Sequence, residues 1–177
     1  SKQCGSTKFS IDGWALMTLS DKIALVTGGS TGIGRAIAEI LISAGAKVAI
    51  TGRDRGRLDA TSSEIGAYPI QADVSKEDDV DRTYRMLLAE FGDLDILINN
   101  AGVGLFKPLV EMELANFERV MATNVTGAML MGRGAARIFV DRNGVNIVNI
   151  ASTASLRGAP SGTAYMTSKF ALRGMTV

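Results

Sequence analysis

The sequence predicts an α/β fold with a doubly wound parallel sheet, and three observations lead to that prediction. Short β-type runs alternate with helical patterns along the chain, which is typical of βαβ units. The first predicted strand leads directly into a glycine-rich turn and a helix. The chain has 177 residues, which is enough for one domain with a hydrophobic core.

The individual elements follow from hydrophobic periodicity. Strands are expected at residues 22–27, 46–51, 67–71, 94–98 and 145–150, and helices at 33–44, 54–65, 76–91, 114–139 and from 163 to the end. The alternation gives right-handed crossovers, so we predict a Rossmann-type sheet with the strand order 3-2-1-4-5. The fifth strand would be an unprotected apolar edge. We therefore expect a domain over residues 17–177 that is truncated after the fifth strand and the start of the following helix.

The N-terminal segment differs in character from the rest of the chain. Residues 1–16 lack the apolar segment of a signal peptide. We interpret them as a leader segment, with Met17 as the natural start, and a genuine N-terminal arm is the alternative.

The predicted helix at 114–139 is apolar around much of its circumference. Its apolar residues are Phe117, Val120, Met121, Val125, Met129, Leu130, Met131, Ile138 and Phe139. A helix that is apolar on several sides is buried on several sides. It is either a central core helix or a helix that also packs against another subunit.

Composition excludes several classes of function. The net charge of +1 gives no electrostatic footprint for nucleic acid or an anionic membrane, and no stretch is apolar enough to span a bilayer. Cys4 is the only cysteine, which excludes an internal disulfide and fits a reducing, cytoplasmic compartment. Histidine is absent, which excludes a Ser-His-Asp triad and argues against any zinc site. The chemistry must depend on Tyr, Lys, Ser, Asn, carboxylates or a cofactor.

A glycine-rich turn links the first strand to the first helix. Gly28, Gly32 and Gly34 follow the apolar run that ends at Thr27. Glycines let the backbone approach a pyrophosphate, and the helix N-terminus offers unpaired N–H groups. A plain tight turn is the alternative, but the strand–turn–helix context favours a dinucleotide site.

Tyr165 is followed four residues later by Lys169. That spacing puts the phenol and the ammonium on one face of a helix. A free tyrosine, with a reference pKa near 10, is a poor base, and a nearby cation favours the phenolate. By itself the pair could equally lie on an exposed helix surface.

Taken together, these residues resemble the classical short-chain dehydrogenase/reductase family, and its 3-oxoacyl-carrier-protein reductase-like members in particular. The resemblance covers Lys22–Val177. It depends on Thr27–Gly34, Asp73-Val74, Asn99–Gly102, Asn124–Gly127, Ser152 and the pair Tyr165 and Lys169. The glycine spacing favours the reductase branch over epimerases and dehydratases.

The resemblance implies catalytic roles for Asn124, Ser152, Tyr165 and Lys169. Tyr165 would exchange a proton with the substrate oxygen, and Ser152 would orient that oxygen. Lys169 would hold the nicotinamide ribose and activate the tyrosine, and Asn124 would hold a water in a proton relay. Ser152 as an ordinary turn residue and Asn124 at a local kink are the alternatives.

The resemblance also implies a set of nucleotide contacts. They are Gly28, Ser30, Thr31, Gly32, Ile33, Gly34, Arg53, Asp73, Val74, Asn100, Ala101, Gly102, Tyr165 and Lys169. Asp73 could instead cap a helix, and Asn99 and Asn100 could be ordinary turn formers. No metal is expected.

The tip of the second strand bears on the choice of nucleotide. An acidic residue there binds the ribose 2′-hydroxyl of NAD, whereas a guanidinium suits the 2′-phosphate of NADP. The sequence has Arg53 after Thr51 and Gly52, so we favour NADP(H). Asp54 keeps NAD(H) open, and a solvated Arg53 is the other alternative.

We therefore predict an oxidoreductase that transfers a hydride between NADP(H) and a carbonyl or secondary alcohol. A non-catalytic nucleotide-binding or scaffold protein of the same fold is the alternative. The expected partners are a small-molecule substrate and further copies of the chain in a homo-oligomer.

Overall fold

The computed structural model describes residues 18–176. The predicted leader at 1–16 and the proposed start at Met17 lie outside the described residues. The strands are β1 (Ile23–Val26), β2 (Lys47–Gly52), β3 (Tyr68–Gln71), β4 (Ile96–Asn99) and β5 (Asn146–Asn149). The helices are α1 (Gly32–Ser43), α2 (Arg55–Ile65), α3 (Glu77–Phe91), α4 (Leu114–Met121), α5 (Gly127–Phe139) and α6 (Thr163–Gly174).

All five strands are parallel and lie in the order β3-β2-β1-β4-β5, which confirms the predicted topology. Strand β1 shows how the sheet is buried on both faces. Ile23 and Leu25 pack with residues of α3 and α5, whereas Ala24 and Val26 pack with residues of α1 and α2. Successive side chains of a strand point to opposite faces, so one apolar run serves both cores.

The predicted helix at 114–139 is not one regular α-helix. It consists of α4, a π-helical turn at Ala122–Thr126, and α5. Within that turn, the Asn124 side chain bonds both the N–H and the C=O of Val103, at 2.8 and 3.0 Å. Helical periodicity cannot reveal such a turn, because the apolar pattern continues through it. Several apolar side chains of this segment are buried within the chain, which favours the core interpretation of the segment.

Strand β5 forms one edge of the sheet. Ile147 and Val148 are exposed by 38% and 42%, and none of the strands in residues 18–176 pairs with its outer side. The predicted apolar edge is therefore present. Over the same residues, no helix is long and apolar enough to cross a membrane.

At the amino ends of the strands, Asp95 holds the sheet together. It lies just before β4. Its carboxylate accepts bonds from the Ile23 N–H at 2.9 Å, from Lys22 Nζ at 3.1 Å and from Arg142 at 3.1 Å. Burial alone would raise the pKa of Asp95, but the Ile23 N–H and the Lys22 ammonium outweigh it and hold that pKa below its usual value. Asp95 thus ties the starts of β1 and β4 together.

Candidate functional site

A cleft of about 680 Å³ lies at the carboxyl ends of the strands. Residues that follow all five strands line it: Gly28 after β1, Arg53 after β2, Asp73 after β3, Asn100 after β4 and Ile150 after β5. The strand order reverses between β1 and β4, and doubly wound sheets bind ligands at that point.

The glycine-rich turn forms one wall of the cleft and is bonded to the turn after β4. Gly28 has a φ of +64°, a conformation that side chains disfavour. A Cβ on Gly34 would lie 2.4 Å from both Asn100 Nδ2 and the carbonyl oxygen of Gly28, so only glycine fits there. Asn100 Nδ2 donates to the carbonyls of Thr27 and Gly28, at 2.9 and 3.2 Å. The result is a concave backbone surface at the start of α1, which fits a pyrophosphate.

All of the residues predicted to contact the nucleotide line this one cleft. They are Gly28, Ser30, Thr31, Gly32, Ile33, Gly34, Arg53, Asp73, Val74, Asn100, Ala101, Gly102, Tyr165 and Lys169. The structure therefore brings together residues that are more than 130 positions apart in the sequence, from Gly28 to Lys169.

The tip of β2 contributes a lining residue that the sequence analysis missed. Arg57 lines the cleft together with Arg53. Neither forms an ion pair within the described part of the chain, whereas Arg55 pairs with Asp59 at 2.7 Å. Asp54 caps α2, where its Oδ1 accepts a bond from the Arg57 N–H at 3.0 Å. After β2 the sequence has arginine at every second position, 53, 55 and 57, and that cluster was the available signal for Arg57.

Tyr165 and Lys169 lie on α6 and face the cleft. Lys169 Nζ is 5.7 Å from the centre of the Tyr165 ring and donates to the carbonyl of Ile150 at 2.7 Å. Lys169 is only 6% exposed, and burial lowers its pKa. The ammonium therefore lies near the Tyr165 ring and is partly removed from water, and its effect on the phenol stays a prediction.

Asn124 lies behind the cleft and does not line it, although its neighbour Thr123 does. Its Nδ2 donates to Ser168 Oγ at 2.9 Å, and Ser168 Oγ donates to the Tyr165 carbonyl at 2.6 Å. Both Asn124 and Ser168 are buried. No sequence pattern pointed to Ser168, whose buried hydroxyl connects the π-helical turn to the middle of α6.

Ser152 lies directly after the lining residue Ala151 but is not itself part of the lining. It precedes a short 3₁₀ turn at Thr153–Ser155, and its Oγ accepts a bond from the Ala154 N–H at 3.1 Å. In residues 18–176 its hydroxyl donates to no acceptor, but the structure does not place it on the cleft surface, so its predicted role stays a prediction.

The end of the cleft near Tyr165 is apolar. Phe106 packs against Tyr165 with ring centres 5.3 Å apart and an angle of 49° between the rings. Val103 and Gly104 line the same end, as does Ala151. The sequence analysis did not identify these residues, because the segment after the Asn99–Gly102 turn has no motif of its own.

Comparison with known proteins agrees with this geometry. Residues 22–177 match the short chain dehydrogenase family. The chain belongs to that family. Proteins of the short-chain dehydrogenase family are oxidoreductases that use a nicotinamide nucleotide and act on small molecules.

Individual relatives of the chain have different names. The chain is 38% identical to a sorbitol dehydrogenase of Cereibacter sphaeroides over 90% of its own length. It is 35% identical to a 3-oxoacyl-acyl-carrier-protein reductase of Aquifex aeolicus over 89% of its length. A crystal structure from Agrobacterium tumefaciens, provisionally assigned as a gluconate dehydrogenase, has a TM-score of 0.86 and 38% identity over 91% of this chain and 66% of that one. The chain spans 64% of the sorbitol dehydrogenase and 66% of the Aquifex reductase.

Proposed function

We propose that the protein is an NADP(H)-dependent oxidoreductase that interconverts a ketone or aldehyde and the corresponding alcohol. One observation carries the proposal. Tyr165 and Lys169 line the same cleft as the glycine-rich turn, so a nucleotide held by that turn can reach the phenol. A binding protein without turnover has no need of a tyrosine and a buried ammonium at that place.

The proposed dinucleotide would lie along the cleft. The turn from Gly28 to Gly34 would hold the pyrophosphate, and Asp73 and Val74 would contact the adenine. Lys169 would hold the nicotinamide ribose, since Lys169 and its acceptor residue Ile150 both line the cleft. The bound nicotinamide supplies or accepts the hydride.

Residues of the chain transfer the proton and stabilise the negative charge that forms on the substrate oxygen. When the substrate carbon gains a hydride, the electrons of the C=O π bond move to oxygen. The Tyr165 hydroxyl then breaks its O–H bond and protonates that oxygen, and the Lys169 ammonium stabilises the resulting phenolate. The Ser152 hydroxyl donates to the same oxygen and orients it. When an alcohol is oxidised, the proton moves the opposite way, from the substrate hydroxyl to the Tyr165 phenolate.

Asn124 and Ser168 hold helix α6, which carries Tyr165 and Lys169, in position. Both N–H bonds of the Asn124 carboxamide are used within the chain, to Val103 and Ser168. Asn124 therefore holds the middle of α6 against the π-helical turn. The relay water implied by the family resemblance would lie near Asn124 and pass protons between Lys169 and solvent.

The preference for NADP(H) follows from the charges at the tip of β2. Arg53 and Arg57 line the cleft and have no carboxylate partner within residues 18–176, so both can meet a 2′-phosphate. Asp54 was the reason for keeping NAD(H) open. Its Oδ1 is engaged as the cap of α2, but Asp54 also lines the cleft and no bond occupies its Oδ2 within residues 18–176, so NAD(H) stays the alternative.

The remaining parts of the proposal are a homo-oligomer and a cytoplasmic location. Leu114 and Met129 are exposed by 70% and 42% on α4 and α5, and these helices would lie in the interface. Sedimentation of the full-length protein tests the oligomer, because a monomer at micromolar concentration contradicts it.

The decisive experiment combines binding with turnover in the full-length protein. NADPH and NADH are titrated by their fluorescence, and reduction of a panel of ketones and aldehydes is followed at 340 nm. We expect NADPH to bind more tightly and at least one carbonyl compound to be reduced. Nucleotide binding without turnover of any carbonyl or alcohol supports the scaffold alternative instead.

A further inference from the structure

We propose that the substrate has a planar apolar group, such as an aryl ring, beside its reacting carbonyl, and that Phe106 is the surface on which this group stacks. The inference rests on the proposed function, because it names the class of substrate for the same cleft. Phe106 is the starting observation. It is a large aromatic side chain that lines the cleft, and it remains 61% exposed.

Phe106 lies beside the group that would act on the substrate. Its ring centre is 5.3 Å from that of Tyr165, at 49°. A planar group that enters to reach the Tyr165 hydroxyl therefore passes the face or edge of the Phe106 ring. Aromatic pairs at 4.5–7 Å favour offset or tilted arrangements and add to the energy of apolar burial.

The backbone holds Phe106 at this position. The N–H of the next residue, Lys107, donates to the carbonyl of Ser161 at 2.8 Å. Ser161 lies just before α6, the helix that carries Tyr165. The Phe106 segment and the start of α6 are thus bonded to each other, so the stacking surface is formed before a ligand arrives. A preformed surface loses little conformational entropy on binding.

The distribution of charge points to the same class of substrate. Within the part of the cleft that the structure describes, Arg53, Asp54, Arg57 and Asp73 lie at the nucleotide end. The Tyr165 end has one charged lining residue, Lys169, whose ammonium is engaged with the Ile150 carbonyl. A carboxylate or phosphate on the substrate would find no cation of its own there, whereas an apolar ring would find Phe106, Val103 and Ala151.

The test measures binding separately from turnover. Acetophenone is titrated into the full-length protein with saturating NADP⁺, and its binding is followed by saturation-transfer difference NMR. Methyl cyclohexyl ketone serves as a matched probe, because its ring has a similar size but is not planar. We expect acetophenone to bind more tightly than methyl cyclohexyl ketone, and Phe106→Ala to weaken acetophenone by about tenfold.

Two further variants make the result specific. Phe106→Leu keeps an apolar side chain and removes the ring, so it should lose the preference for acetophenone over methyl cyclohexyl ketone. Phe170→Ala removes another exposed phenylalanine, on α6 and outside the cleft lining, and should change neither affinity. Equal affinities for the two ketones in the wild type, or equal effects of Phe106→Ala and Phe170→Ala, would overturn the proposal.

The failure of this inference can be told from the failure of the proposed function. A protein that binds NADPH and turns over a charged or polyol substrate, but shows no saturation transfer to acetophenone, contradicts the inference alone. A protein that binds neither NADPH nor NADH contradicts both.

Discussion

The nucleotide end of the cleft and the Tyr165 end are held in different ways. At the nucleotide end, the short side chains of Thr27 and Asn100 bond the backbone of neighbouring turns to each other. Thr27 Oγ1 accepts from the N–H groups of Asn100 and Ala101, both at 3.0 Å, and the Asn100 carboxamide closes the gap to Gly28. At the Tyr165 end, helix α6 is held by side chains, through Ser168 to Asn124 and through Lys169 to Ile150.

This difference indicates a division of tasks. The bonds at the nucleotide end fix the path of the backbone turns, which suits a cofactor of constant shape. Side-chain contacts at the Tyr165 end fix a proton donor and leave apolar surface open, which suits a reacting group that varies between substrates. Substitutions at the two ends should therefore separate binding from turnover.

The largest expected effect is at Tyr165. Tyr165→Phe removes the hydroxyl and keeps the ring, so kcat should fall by about 10²–10⁴-fold while the Kd for NADPH changes little. Steady-state kinetics and NADPH fluorescence measure the two quantities. Tyr68→Phe is the control, because Tyr68 lies on β3 against Phe91, away from the cleft lining. Near-normal kcat in Tyr165→Phe would show that Tyr165 is not the proton donor and would remove the distinction between the two ends.

The opposite pattern is expected at Arg57. Arg57→Ala should raise the Kd for NADPH by about ten- to a hundredfold, because a charged hydrogen bond contributes about 1.5–3 kcal/mol, while the Kd for NADH stays nearly constant. Arg55→Ala is a matched control two residues away, since Arg55 pairs with Asp59 and lies outside the cleft lining. Equal losses for NADPH and NADH would show that Arg57 does not meet the 2′-phosphate.

The same difference explains what the sequence could predict. The strands, their order and the nucleotide contacts depend on local patterns, namely apolar runs that end in glycine-rich or asparagine-rich turns. Those predictions of fold are confirmed. The roles of individual site residues remain predictions, although the predicted nucleotide contacts and the Tyr165–Lys169 pair line one cleft.

The features that were missed depend on contacts between distant segments. The π-helical turn depends on Asn124 meeting Val103, and the position of Phe106 depends on a backbone bond from Lys107 to Ser161. Neither has a periodic signal. Arg57 was missed for another reason: three nearby arginines look alike in the sequence, and only the structure shows that Arg55 has a carboxylate partner.

A smaller effect is expected at Ser168. Ser168→Ala removes the acceptor of Asn124 Nδ2 and leaves a buried N–H without its partner, which costs about 1–3 kcal/mol. We expect a lower Tm and a lower kcat, because α6 is no longer fixed against the π-helical turn, with little change in the Kd for NADPH.

Thr167→Ala, at an exposed position on the same helix, is the control for Ser168. Ser168→Cys restores a weak donor and acceptor and should recover part of kcat. If Ser168→Ala lowers the Tm and leaves kcat and its pH profile unchanged, Ser168 is only structural and the Tyr165 end does not depend on side-chain positioning.

The smallest effect on the cleft is expected from Asp95, at the amino ends of β1 and β4. Because its pKa is held below the usual value, the ionised carboxylate stabilises the fold above the unfolded-state pKa of about 3.9, and that contribution is lost as pH falls through the folded-state pKa. Asp95→Asn should therefore lower the free energy of unfolding by about 1–2 kcal/mol at pH 7. The difference from wild type should shrink below about pH 4.

Urea unfolding at pH 7 and at pH 3.5 measures this dependence, and Asp93→Asn provides the control. The Asp93 side chain is 46% exposed and also pairs with Arg142, so its loss should change stability less. Both variants should keep the wild-type Kd for NADPH, because neither residue lines the cleft. A weaker Kd in Asp95→Asn would mean that the amino ends of the strands are coupled to the nucleotide end. The rigidity of that end would then depend on the whole sheet as well as on the bonds between its own turns.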